Sequence, residues 1–116
     1  MLTPGAQQRI WLCTRPTDMR RSFDGLSAQV RNLLGENPAS GHWFVFVNRR
    51  GTMLKILAFD TGGYWIWAKR LERGRFAAPG GSGSDKRALT RTALLALIEG
   101  TDIVVKRQRK RYRLAA

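Results

Sequence analysis

The sequence predicts one α+β domain, a mostly antiparallel sheet of four to five strands with one long and one short helix, followed by a basic C-terminal arm. Three observations carry this expectation. Apolar side chains recur with a helical period between residues 17 and 34, three β-rich runs follow between 42 and 71 with short glycine-containing connections, and from residue 106 cations dominate. With 116 residues the chain has material for one modest core and none for a separate catalytic domain.

The first element is read at "RIWLCTRP", where apolar and β-branched residues suit a short strand and Pro16 disfavours helix at Arg15. Cys13 is read as a small buried apolar residue of that strand, because a lone cysteine has no disulfide partner and no metal ligands at zinc spacing. Then the period lengthens. Thr17 is placed as an N-cap with Asp18 in the first turn, and Met19, Phe23, Leu26, Val30, Leu33 and Leu34 form one stripe that Gly35 and Asn37-Pro38 end.

The runs "HWFVFVN", "TMLKILAFD" and "YWIWAKRL" read as a three-stranded meander, with "RRG" and "TGG" as hairpin turns in which glycine takes positive φ. The first two are apolar at nearly every position, so both faces of the sheet are expected to be covered, one of them by the helix. A strand-helix-strand start permits one parallel pairing through a right-handed crossover. The stretch "AAPGGSGSDK", near 77–86, reads as a flexible loop, and a short helix is expected from an N-cap Thr90 through Ala93, Leu94, Leu97 and Ile98 to Gly100. A final strand is read at "DIVV". The domain is thus assigned to residues 1–105 and a disordered arm to 106–116, where Lys106, Arg107, Arg109, Lys110, Arg111 and Arg113 place six cations among eight residues.

Charge narrows the function. The chain holds 21 Lys and Arg against 8 Asp and Glu, a net +13, and such an excess calls for a polyanion. No apolar run approaches a membrane span and the first residues lack the pattern of a signal peptide, so a cytoplasmic, nucleoid-associated protein is expected. Catalysis is poorly provided for. His42 is the single histidine and is read as structural, no nucleophile-elbow sequence accompanies it or Cys13, and the glycine-rich stretch lacks the Lys-Ser/Thr ending of a phosphate loop. Asp24, Asp60 and Glu72 fall on three different elements, and Asp18 and Asp24 are about 240° apart on a helix, so no converging carboxylates are expected for two-metal chemistry. No catalytic residue, cofactor or metal is assigned.

The cations, by contrast, are clustered. Arg20 and Arg21 open the first helix, Arg49 and Arg50 occupy a hairpin tip, and Lys69, Arg70, Arg73 and Arg75 follow the Trp-rich strand; with the arm these are the candidate nucleic-acid contacts. If the arm alone neutralised six phosphates, the logarithm of the duplex binding constant would fall against the logarithm of salt with a slope of roughly −5. Trp65 and Trp67 share a strand face with Lys69; they either pack under the second helix or stack bases.

The stretches "TDMRRSFDGL", "SGHWFVFVNRRG" and "LKILAFDTGGYWIWAKRLERGRF" together resemble the small TnpB accessory proteins of the insertion sequence sixty-six family, which are unrelated to the RNA-guided nucleases of the same name. "LTRTALLALIEGTD" is similar to that family's closing helix. The resemblance implies a role in transposition beside a separate, co-encoded transposase that holds the acidic catalytic site, and it carries over no catalytic residue. Motif positions available for such a role are Asp18, Arg20, Arg21, Asp24, His42, Arg49, Arg50, Asp60, Lys69, Arg70, Glu72, Arg73 and Arg75. The expected function is a non-catalytic accessory factor that binds the DNA backbone at element ends. The alternatives are an interaction module for the transposase without its own DNA site, and a metal-dependent nuclease using Asp24, Asp60 and Glu72.

Overall fold

The computed structural model describes residues 3–79 and 83–101. Within them the chain runs β1 (Ile10–Cys13), α1 (Phe23–Gln29) with a π-helical continuation (Val30–Leu34), β2 (Trp43–Val47), β3 (Met53–Asp60), β4 (Gly63–Arg70), β5 (Lys86–Leu89) and α2 (Arg91–Glu99). The strands form one mixed sheet in the order β4-β3-β2-β1-β5, and the fold is α+β as the sequence predicts.

β2 is the central strand, and all five of its residues are buried. WFVFV has no polar position, so this segment is stable only where both sheet faces are covered. Phe44 and Phe46 meet Leu26, Val30 and Leu34 of the first helical segment, and with Cys13 and Leu57 they make one core. Trp43, Val45 and Val47 point to the opposite face, where Leu94, Leu97 and Ile98 of α2 close a second core over Ile10, Leu12, Leu54 and Ile56. Full burial of each such side chain contributes about 1.5–3 kcal/mol. β1 lies parallel to β2, with Ile10 opposite Trp43, and the crossover between them carries α1. β2, β3 and β4 form the expected meander, whose register sets Val47 against Leu54 and Ile56 against Trp67.

Two local expectations need correction. The first helix starts at Phe23 rather than after Thr17, so Arg20 and Arg21 precede it, and Phe23 is exposed. The cause is competition for backbone groups. Asp18 Oδ1 accepts the Arg20 N–H, and the Arg21 N–H donates to the Asp18 carbonyl. The Lys55 ammonium of β3 donates to the carbonyls of Met19 and Arg21, both at 2.8 Å, which a helix starting earlier would have used itself. Thr17 is buried, and its hydroxyl accepts from Gln29 instead of capping. Secondly, Lys86–Leu89, the first residue of which was assigned to the Gly/Ser loop, is an edge strand paired antiparallel with β1. The strand expected at "DIVV" lies outside the described residues, as does the arm from Lys106 to Arg113. The short helix follows expectation: Thr90 Oγ1 accepts from the Ala93 N–H, and Leu94, Leu97 and Ile98 are buried.

Trp65 and Trp67 are half-buried and pack against the α2-side core. The Trp65 ring meets Trp43 edge-on, with centroids 5.1 Å apart and planes at 87°. This face therefore packs against the core that α2 helps to close. Replacing Trp67 with alanine is expected to destabilise by about 2 kcal/mol, less than a fully buried Trp43→Ala at about 3–5 kcal/mol, in urea unfolding of the two variants side by side. At the β3–β4 tip Thr61 holds φ +47°, an unfavourable region for a β-branched residue. Thr61→Asn is expected to raise stability by about 1 kcal/mol in the same assay.

Candidate nucleic-acid interface

Sheet polarity decides where the cations go. β1 and β2 are parallel, β3 and β5 run against them, and β4 runs against β3, so β1, β2 and β4 all end at one edge of the sheet. The segments 14–22, 48–52 and 71–79 therefore share that edge. They carry Arg15, Arg20, Arg21, Arg49, Arg50, Arg73 and Arg75, with Arg70 at the last position of β4. The opposite edge, formed by residues 3–9, 35–42, 61–62 and 90–91, holds Arg9 and Arg91.

The tip between β2 and β3 is built by one side chain. Asn48 Oδ1 accepts from the N–H groups of Thr52 and Met53, and its amide donates to Thr52 Oγ1, leaving Arg49 and Arg50 exposed at the corner. Gly51, at φ +72°, lies so close to the 75–76 segment that a Cβ would come within 3.3 Å of the Phe76 carbonyl. Its carbonyl accepts the Phe76 N–H at 2.7 Å. Glycine thus docks the Arg49/Arg50 corner against Arg75, whose backbone pairs in both directions with Thr101. Arg15, Arg49, Arg50 and Arg75 line one concavity of about 270 Å³, with Asn48, Gly51 and Pro79 between them. Sequence reasoning grouped Arg49, Arg50 and Arg75 by charge but did not single out Arg15. Its position after β1 and before Pro16 was the available signal.

Not every cation has the same electrostatic standing. Arg15 bonds Asp85 at 2.8 Å and Arg70 reaches Glu72 at 3.3 Å, both on the surface. Lys69 turns inward, and its ammonium donates to the Ile98 carbonyl at the end of α2, a helix-capping role that sequence grouping did not reveal. Arg73 is exposed on the same edge. Arg49 and Arg50 form no ion pair among the described residues. A phosphate backbone would meet those uncompensated charges first.

The carboxylates do not converge. Asp60 ends β3 and Glu72 follows β4, so the length of β4, about 26 Å, separates them, while Asp24 sits on α1. Among the described residues no three His, Cys, Asp or Glu side chains are placed to share a metal ion. His42 accepts the Arg9 N–H through Nδ1 at 2.9 Å, a structural contact. No described helix is long and apolar enough to cross a membrane.

Asp18 and Arg20 form a forked ion pair, with Arg20 Nη2 2.7 Å from Oδ2 and Nε 3.0 Å from Oδ1. This bonding first, with the charge of Arg21 adding to it, holds the Asp18 carboxyl far below the ordinary carboxylate range and raises Arg20. A depressed folded-state value means that the pair's contribution is present above the unfolded value of 3.8 and fades only as pH falls through the lower, folded one. Asp18 is therefore expected to remain ionised at pH 4 in an NMR carboxyl titration. A midpoint at or above 3.8 would contradict the bridge.

Comparison with known proteins places the chain in a family. The family described as IS66 Orf2 like protein matches residues 8–108, nearly the whole chain. The chain is similar to the uncharacterized protein y4hO of Sinorhizobium fredii, with 39% identity over 102 residues that cover 88% of each. It is also similar to the uncharacterized protein y4jC of the same organism, with 37% identity over 79 residues, 68% of each. No solved structure matches significantly. A match of this extent means that the chain belongs to the IS66 Orf2-like family, a family associated with insertion-sequence transposition.

Proposed function

We propose that the protein is a non-catalytic accessory factor of transposition that holds the DNA backbone on its basic sheet edge and assists a separate, co-encoded transposase. The observation that supports this reading is the gathering of Arg15, Arg49, Arg50 and Arg75 around one concavity on the edge where three strands end. Guanidinium groups on three separate segments, fixed to a rigid sheet, suit a row of phosphates better than a single small anion. Binding is mainly to the backbone, since no described element has the form of a recognised major-groove reading module. In sequence terms Lys106, Arg107, Arg109, Lys110, Arg111 and Arg113 add to the same salt-dependent attraction. Family membership supports the transposition context, and DNA binding and contact with the transposase belong to this proposal.

The test is a fluorescence-anisotropy titration of labelled element-end and random duplexes across a salt series. The Arg49→Ala/Arg50→Ala variant is expected to reduce the salt slope by about 2 units for both sequences, at unchanged thermal stability. Arg9→Ala/Arg91→Ala, on the opposite edge, is the matched control and is expected to leave the slope near the wild-type value. Absence of wild-type binding at low salt, or equal losses from the two double variants, would overturn the proposal. Co-purification of the transposase after nuclease digestion tests the protein contact separately.

A further inference from the structure

Beside the arginine-lined concavity, across the shared Arg15–Pro16 wall, lies a larger groove of about 650 Å³ between the 15–18 segment and the first helix. Thr17, Asp18, Arg21, Gly25, Gln29 and Asn32 line it, together with the shared Arg15. Of its three charges two are compensated: Asp18 by the fork of Arg20, and Arg15 by Asp85. Arg21 differs. Its Nη1 donates to the side-chain oxygen of Gln29 at 2.7 Å, so a neutral amide orients the guanidinium and leaves its charge in place.

The rest of the neighbourhood holds Arg21 in that pose. Gln29 is buried, and its amide nitrogen is itself committed to Thr17 Oγ1 at 2.9 Å and to the Cys13 sulfur at 3.4 Å, so its oxygen can only face Arg21. The Arg21 main chain is tied at its carbonyl by the Lys55 ammonium. Its stem lies against Gly25, where a Cβ would stand only 3.1 Å from Arg21 Cβ and Cγ, so a larger residue would push the arginine off the helix surface. With Nη1 held, the Nε–Nη2 edge, which makes no hydrogen bond among the described residues, is a complete two-pronged donor.

We propose that this groove is a built phosphate seat in which Arg21 is the anion-binding residue, and Gln29, Lys55 and Gly25 are positioning residues that present its free guanidinium edge. The inference rests on the DNA-binding reading above and deepens it, by assigning one phosphate of the bound backbone to one preorganised arginine beside the Arg49/Arg50 corner. An arginine fixed before binding loses little freedom on contact, so it discriminates by geometry as well as by charge. Sequence grouping, which ranked Arg20 and Arg21 together, separates here: Arg20 is neutralised by its own acid, and Arg21 is not.

The experiment is the same salt-series titration with Arg21→Ala, Arg21→Lys and Gln29→Glu, each checked by thermal melting. Arg21→Ala is expected to lower the salt slope by about 1 unit and affinity at 0.1 M salt by about tenfold. Arg21→Lys keeps the charge but not the fork; it should keep the slope and lose about threefold in affinity. Gln29→Glu, nearly isosteric, places a carboxylate on Nη1 and should reproduce the slope loss of Arg21→Ala while Arg21 itself is untouched. A purely structural role for Gln29 would leave the slope where it was. Should Gln29→Glu fail to fold, the two Arg21 variants at an exposed position decide the matter. If wild type binds and neither Arg21 variant changes slope or affinity, the seat is refuted while the broader reading stands; if wild type does not bind, the broader reading falls first. Inorganic phosphate against chloride at matched ionic strength separates the source: displacement of DNA by phosphate no greater than by chloride assigns the seat to backbone phosphodiesters, and stronger displacement assigns it to a free phosphate group.

Discussion

The parallel pairing of β1 with β2 is the constraint from which the remaining architecture follows. Two parallel neighbours need a long connection over one face, and here that connection carries α1 and the π-helical turn onto β2. Covering one face of a strand as apolar as WFVFV is insufficient, so the chain must return α2 to the other. The same pairing fixes polarity. Once β1 and β2 end together, the antiparallel meander forces β4 to end there as well, and three connections with most of the described arginines arrive at one edge. The basic edge is thus a consequence of topology acting on arginines scattered along the sequence.

Formal charge describes that edge poorly, because the fold assigns its cations to different tasks. Lys55 and Lys69 act as internal fasteners, one on the carbonyls of Met19 and Arg21 and one on the end of α2. Lys86 lies over the Trp11 ring at 4.6 Å and pairs with Glu36, which locks β5 to the segment after the π-helical turn. Arginines meanwhile remain on the surface, where the planar fork suits phosphate. Within this chain, then, lysines at the sheet hold structure together and arginines at the loop edge face outward, a division that composition alone cannot express.

Much of the fold was legible because local chemistry and tertiary need agree there. The meander announces itself through β-branched and aromatic runs punctuated by Gly51 and Gly62, and α2 through Thr90 and Gly100. Legibility fails where a distant residue intervenes. Nothing near Thr17 foretells that Lys55, on another strand, takes the carbonyls a helix would need, so the helix was read as starting too early. β5 escaped notice because an edge strand whose middle residues are exposed needs no apolar alternation. The candidate site shows the same divide. The charges of Arg49, Arg50 and Arg75 were visible, but their meeting with Arg15 depends on strand order, and the neutral partner of Arg21 lies eight residues further along.

β1 is made well before its second neighbour, β5, which follows the whole β2–β4 meander along the chain. At typical translation rates of about 5–20 residues per second, β1 waits on the order of 4–15 s for that partner, while the β2–β4 meander closes through short hairpins as it emerges. The outer edge of β1, with Ile10 and Leu12 beside it, is therefore the last part of the sheet to be capped. Asp85, which neutralises Arg15, arrives with the same late strand. A nascent chain thus carries a basic corner of higher net charge, and an open β1 edge, until Asp85 and β5 have left the ribosome.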